Sequence, residues 1–489
     1  MLVRYLYDLP KNAFMKGNFL LLLLVLSGLT ARAQDAYNIT IKIDGYDQPV
    51  LSLANNLLDK QYIVDTARVN DRGEYVFRSD TNALPPGIYL VVLAPDNQYF
   101  QMLISDDGDQ EFKLATSIKD MGTVKVTGST ENKLFYDYLS YLGARQEASQ
   151  PLREQLADTS LTDAAREQLV AEMDAISAEV AAHQQAIVKK NPDAFVSAII
   201  QTNAANAPPE FPEITEEEAR NAAKLAWLQE HYFDKIDLRD DRLLRTPFLL
   251  NRIEYFVDKL FIPHPDTISQ AIDKVLGRMD PTSELFKYYV VHFINKAAAS
   301  KIVGMDAVYV HMVDNYYTNG KAYWADDESL ATMKENADKT RPLLLGKVAP
   351  DMQMKRRDGT PVTLHEVDAK YTILYFWQFE CGSCKKATPV MAEVYEKWHP
   401  KGVEIFSVCT RQNVIDQCWN YVDEKKIGDW LHATDRYMRF YRDYDIKQTP
   451  MIYVLDKDKV ILSKRIGATQ LDELLTLLEQ QAAEENNGK

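Results

Sequence analysis

Cysteine is scarce: four residues in 489, all between Cys381 and Cys418. So few in so long a chain exclude a disulfide-stapled scaffold, and their clustering points to one local chemistry. Glycine (19) and proline (20) are too few for a fibrous or low-complexity chain. Positive charge is also in deficit. The 56 Lys and Arg face 71 Asp and Glu, for a formal charge of −15. That balance argues against a nucleic-acid partner, because phosphate contacts need clustered cations. The eight histidines include no pair at metal-ligand spacing. The apolar run at residues 19–26 is too short for a comfortable membrane span. What remains is ordinary globular material, 46% apolar and 26% charged. A prior of about 150 residues per domain gives roughly three domains.

Residues 1–33 read as an address. Lys11 and Lys16 precede the apolar run, and Ser27, Gly28 and Ala31-Arg32-Ala33 follow it. Basic, apolar, small-x-small is the order of a secretory signal peptide, with cleavage expected near Ala33 and Met15 as an alternative start. A single anchoring helix is the competing reading. No cysteine follows the cleavage site, so lipid attachment there is excluded. Cleavage takes away Arg4, Lys11, Lys16, Arg32 and Asp8, a net +3, and leaves a mature charge of −18. The expectation is an exported, soluble, acidic protein in a compartment that can keep disulfides.

The mature chain divides by period. Residues 34–128 read as a β-rich domain. Asn38-Ile39-Thr40-Ile41-Lys42-Ile43 and Thr123-Val124-Lys125-Val126-Thr127 alternate with period two. Ile88-Tyr89-Leu90-Val91-Val92-Leu93 follows the turn Pro85-Pro86-Gly87, and another turn is expected at residues 106–109. Short strands and turns predict an antiparallel, sandwich-like module. Residues 129–340 turn helical. Ile253, Phe256, Val257 and Leu260 make one buried face; Leu285, Tyr288, Tyr289, His292 and Phe293 make another. His292 reads as a core or rim histidine, since no partner ligand lies at helical spacing. Residues 154–190 suit a long hairpin or a dimer contact, but a solvated helix packed in its own domain is the favoured reading, because no heptad seam is sustained. Residues 341–489 alternate strand and helix, which predicts an α/β layer. The class is therefore multidomain: β-sandwich-like, then all-α, then α/β.

The chemistry sits in the last region. Tyr371-Thr372-Ile373-Leu374-Tyr375-Phe376-Trp377 is a near-continuous apolar strand. Cys381-Gly382-Ser383-Cys384 follows, then a helix with Ala387, Val390, Met391, Val394, Tyr395 and Trp398 on one face. This spacing lets two sulfurs meet at a helix N-terminus, where unpaired N–H groups and the dipole stabilise a thiolate. Lys385 and Lys386 add positive charge. Such a thiolate attacks a disulfide and the second cysteine resolves the adduct. Cys381 is the candidate nucleophile and Cys384 the resolving thiol. Two alternatives stay open: a zinc site, which needs more ligands than the sequence offers, and a static structural disulfide. Cys409 ends a strand and Cys418 lies on a helix face with Ile415, Trp419 and Val422. Both are expected to be buried free thiols, with a second disulfide as the alternative.

Residues 346–483 resemble the exported TlpA/ResA-like thiol-disulfide oxidoreductases of the thioredoxin fold. The resemblance rests on Gly346-Lys347-Val348-Ala349-Pro350-Asp351, Asp358-Gly359 and Val362-Thr363-Leu364, which are similar to the family's N-terminal hairpin. It rests further on Phe376-Trp377 before the C-x-x-C, on Pro389 in the helix, and on Thr449-Pro450 before Met451. It implies that Pro450 is cis and packs against the cysteines. It also implies that Thr449 and Trp377 contact substrate. The implied partners are protein thiols and disulfides, with a membrane electron donor, in the periplasm; neither cofactor nor metal is implied. The sequence departs from the family at Glu380, where many relatives carry an aromatic, and at Gly382-Ser383, where many carry Pro. Tyr375 stands where cytosolic thioredoxins carry a buried Asp. Glu380 is then the nearest substitute for proton transfer, with a solvated loop acid as the alternative. Upstream, the β-rich and helical regions resemble DUF4369-like and DUF5106-like modules of Bacteroidetes-type bacteria. The competing functional reading is an envelope binding module whose C-x-x-C is a redox sensor or a staple. A peroxidase of the peroxiredoxin branch is disfavoured, because no Pro-x-x-x-Thr-x-x-Cys motif occurs.

Overall fold

The computed structural model describes residues 36–105, 110–204 and 206–487. The signal-peptide segment and the turn at 106–109 lie outside the described residues.

Among the described residues eight strands come first: β1 (Tyr37–Asp44), β2 (Val50–Leu57), β3 (Lys60–Arg68), β4 (Glu74–Ser79), β5 (Gly87–Leu93), β6 (Gln98–Ile104), β7 (Glu111–Ser117) and β8 (Asp120–Thr127). They form two four-stranded sheets, in the orders β4-β1-β7-β8 and β3-β2-β5-β6. Period-two alternation turns Ile39 and Ile41 of one sheet and Leu51, Leu53, Tyr89 and Val91 of the other into a single core. The expected all-antiparallel pattern needs correction. β1 runs parallel to β7, with Asn38 opposite Glu111. A parallel pair cannot be a hairpin. The chain instead passes through the second sheet between these two strands.

The helices follow: α1 (Thr130–Leu156), α2 (Asp163–Lys190), α3 (Phe195–Asn203), α4 (Glu217–His231), α5 (Pro247–Lys259), α6 (Pro265–Leu276), α7 (Glu284–Ala299), α8 (Asp306–Met312) and α9 (Asp327–Thr340). Ser129 opens α1 by accepting the Asn132 N–H. Asn132 itself is wholly buried and bonds both the N–H and the C=O of Leu103, each at 2.8 Å, so α1 is pinned to β6. The two apolar faces expected in α5 and α7 meet in one core that includes Ile253, Phe256, Leu285, Tyr289 and Phe293. His292 lies at its rim, 3.3 Å from Glu254. Residues 163–190 form one long helix, mostly exposed, with Leu169 and Ile187 buried against its own domain. α1 and α2 pair antiparallel: Tyr141 stacks on His183 with centroids 3.7 Å apart, and Arg145 meets Glu179 at 2.8 Å. Among the described residues no helix is long and apolar enough to cross a membrane.

The last region holds β9 (Gln353–Lys355), β10 (Pro361–Thr363), β11 (Tyr371–Trp377), α10 (Gly382–Trp398), β12 (Val403–Cys409), α11 (Ile415–Lys425), β13 (Leu431–Ala433), α12 (Phe440–Asp443), β14 (Met451–Asp456), β15 (Ile461–Lys464) and α13 (Leu471–Asn487). β9 and β10 pair alone; the other five form a sheet in the order β13-β12-β11-β14-β15. β11 is central. It is parallel to β12 and antiparallel to β14. Its side chains face two cores: Ile373, Tyr375 and Trp377 pack with α10 and α13, while Leu374 and Phe376 pack with Phe440, Tyr444 and Tyr453. A strand covered on both faces selects apolar residues almost throughout, which explains a run interrupted only by Thr372.

Candidate active site

All seven side chains of β11 are buried, and the chain then turns at the open end of the sheet into α10. Cys381 is the N-cap of that helix. Its Sγ accepts the backbone N–H of Cys384 at 3.2 Å, the bond a capping side chain makes to the third helical donor. Its S–H reaches across the sheet and donates to the Thr449 carbonyl at 3.3 Å. Both thiols are free; Cys381 is partly exposed and Cys384 buried.

Burial pushes the Cys381 thiol up. The hydrogen bonds from the Cys384 and Ser383 side outweigh that, and the thiol lies below its ordinary range. The positive end of α10 favours the thiolate in the same way. Burial pushes Cys384 the other way, up to about 12, and its bond with Cys381 adds to the rise. One thiol is poised to ionise and its neighbour to hold its proton, the split an acid–base pair requires. Tyr375 lies beneath them, fully buried; burial first, then the Cys384 sulfur, keeps its hydroxyl protonated.

The other expected site residues fall as follows. The Thr449–Pro450 peptide is cis, and both residues are partly exposed beside Cys381. Lys385 and Lys386 are exposed on the first turn of α10. Glu380 is exposed and faces Arg411 at 3.2 Å. Trp377 needs correction. It is 1% exposed, its indole N–H donates to Ser407 Oγ at 2.8 Å, and its ring packs against Tyr375 and Tyr421. A side chain so enclosed supports the strand end and does not meet a substrate.

Cys409 and Cys418 also depart from expectation. They are joined in a disulfide, with Cα atoms 6.4 Å apart. The β11–β12 register puts Cys409 opposite Trp377. The chain then folds back into α11, which returns Cys418 to the same place. The loop thus closed carries Arg411, the partner of Glu380. Sequence reasoning passed over Arg411, because its place beside the C-x-x-C depends on strand register and nothing local marks it. Among the described residues no group of three or more His, Cys, Asp or Glu is placed to hold a metal ion.

Comparison with known proteins agrees with this geometry. A family model described as the AhpC/TSA family matches residues 345–464, and models for the domains of unknown function DUF5106 and DUF4369 match 161–340 and 37–135. Thiol-disulfide oxidoreductase ResA of Bacillus subtilis is 35% identical over 123 residues, which make up 25% of this chain and 67% of that protein. A ResA of Bacillus cereus is 29% identical over 138 residues, 28% of this chain and 78% of that one. Among solved structures, a domain of a possible thiol-disulfide isomerase from Cytophaga hutchinsonii is 40% identical, covering 29% of this chain and 97% of that one, with a TM-score of 0.27. Through its C-terminal α/β region and the cysteine pair at the head of α10, the chain belongs to the ResA-like, thioredoxin-fold thiol-disulfide oxidoreductases.

Proposed function

We propose that the protein is exported to the periplasm and there reduces disulfides in client proteins. In this reading Cys381 is the nucleophile, Cys384 the resolving thiol, and Thr449 with Pro450 the edge along which the client polypeptide lies. The single observation that carries it is the pair of opposed thiols: Cys381 half-open at a helix N-terminus with its thiol lowered, Cys384 buried beneath it with its thiol raised. The Cys381 thiolate attacks one sulfur of the client disulfide and expels the other as a thiolate. Cys384 then gives up its proton and attacks Cys381 Sγ, which releases the second client sulfur. Two electrons and two protons pass to the client, and Cys381 and Cys384 end joined. A membrane electron donor resets the pair. The chain is divided here into a cleaved segment at 1–33, a β-sandwich-like module at 34–128, a helical module at 129–340 and the redox domain at 341–489.

Turnover of a disulfide-bonded protein substrate with a supplied reductant tests this reading. The wild type is expected to be active. Cys381→Ser is expected to fall to background, since a hydroxyl has no accessible anion to attack with. Full activity in Cys381→Ser would contradict the assignment.

A further inference from the structure

We infer that a cationic cavity between the helical region and the redox domain binds an acidic stretch of the client beside its disulfide. The inference rests on the proposed reading of Cys381 as the nucleophile. The cavity has a volume of about 670 Å³, and its walls come from both regions: Lys301 and Asp306 on one side, Lys447, Gln448, Lys464 and Arg465 on the other. Its edge reaches Gln448, next in the chain to Thr449, whose carbonyl accepts from the Cys381 thiol. A client strand laid along Thr449 that continues past Gln448 meets the cavity beside the reacting sulfur.

Charge selects the occupant. Lys464 is paired with Asp306 at 2.6 Å, and Lys447 with Asp445 at 2.8 Å. Lys301 and Arg465, both exposed, have no ion pair among the described residues. The lining is therefore positive in a chain that is −15 overall. Two free cations suit carboxylates. An acidic polypeptide segment supplies carboxylate side chains for Lys301 and Arg465. Arg465 is held in left-handed backbone geometry, φ 56°, which few residues other than glycine adopt. Strain of this kind is retained where the position is used.

The test uses the full-length protein and two peptides with the same internal disulfide, one flanked by three Asp and one by three Asn. The quantity read is the ratio of kcat/KM for the Asp peptide to that for the Asn peptide, so differences in active fraction cancel. The expected ratio is about fivefold in the wild type at low salt, from two exposed charge contacts. It should fall to about one in Lys301→Gln/Arg465→Asn, where Asn is chosen because it tolerates left-handed backbone. A ratio near one in the wild type, or a ratio unchanged in the double variant, overturns the inference. Bis(2-hydroxyethyl) disulfide, small and uncharged, separates the two claims. If the wild type exchanges with it but shows no preference between the peptides, only the docking site falls. If it does not exchange at all, the reading of Cys381 falls, and the docking site with it.

Discussion

A thiol that caps a helix is activated by bonds it would not have in water. At Cys381 these are the Cys384 N–H and the helix end, set against burial that opposes ionisation. Glu380 precedes it, and a carboxylate there disfavours the thiolate. Arg411 faces that carboxylate at 3.2 Å and offsets its charge. Arg411→Gln is therefore expected to raise the Cys381 thiol, because the Glu380 carboxylate is left uncompensated beside it. The rate of alkylation against pH measures it: the Cys381 phase should shift toward higher pH, while Cys384, at about 12, stays outside the scanned range. At this scale the sequence was legible where chemistry is local. Cys381 and Cys384 stand three residues apart, so the motif and the strand and helix around it announce one another. Trp377 misled, because its place before the motif suggested a surface, whereas Ser407, Tyr375 and Tyr421 enclose the ring.

Elements carry the next layer. β11 was readable from its own residues, since burial on two faces demands a near-continuous apolar run. Pairings between distant elements were not. Nothing local told β1 that it would lie parallel to β7, or told α1 and α2 that Tyr141 would stack on His183. The Cys409–Cys418 bridge is of the same kind: it exists because β12 and α11 bring two Cα atoms to 6.4 Å. Their sequence separation of 9 closes a short loop. Chain-entropy arguments give such a loop roughly 2.5 kcal/mol. Cys409→Ala/Cys418→Ala is expected to lower the stability of the redox domain by about that amount, read by urea unfolding followed through its tryptophans. Unchanged stability would mean that the bridge constrains nothing the fold does not already fix.

For the whole molecule, the junction of the helical and redox regions turns on Lys464. Its ammonium is buried, donates to the Leu343 carbonyl and meets Asp306 at 2.6 Å. Burial lowers the Lys464 amine from its ordinary value, and Asp306 resists that fall. Asp306→Asn removes the only counter-charge in the pair. It is expected to destabilise the junction by about 3 kcal/mol at neutral pH, because a buried charge is left uncompensated. The sign with pH follows. The folded amine titrates below the unfolded one, so stability rises with pH between the two values as the folded chain sheds the proton. The deficit of Asp306→Asn should therefore shrink as pH climbs toward the ordinary lysine range. Denaturant midpoints at neutral pH and near pH 10 measure it. A deficit that grows with pH would contradict the assignment.

The central claim is that Cys381 attacks client disulfides and Cys384 releases them. It is tested most directly by expressing the full chain as Cys384→Ser and separating the cell envelope on non-reducing gels. Without the resolving thiol, Cys381 should stay joined to whatever it attacks. The account predicts adducts of higher mass that disappear on reduction and are absent in Cys381→Ser/Cys384→Ser. A folded, exported Cys384→Ser protein that forms no adducts would contradict it.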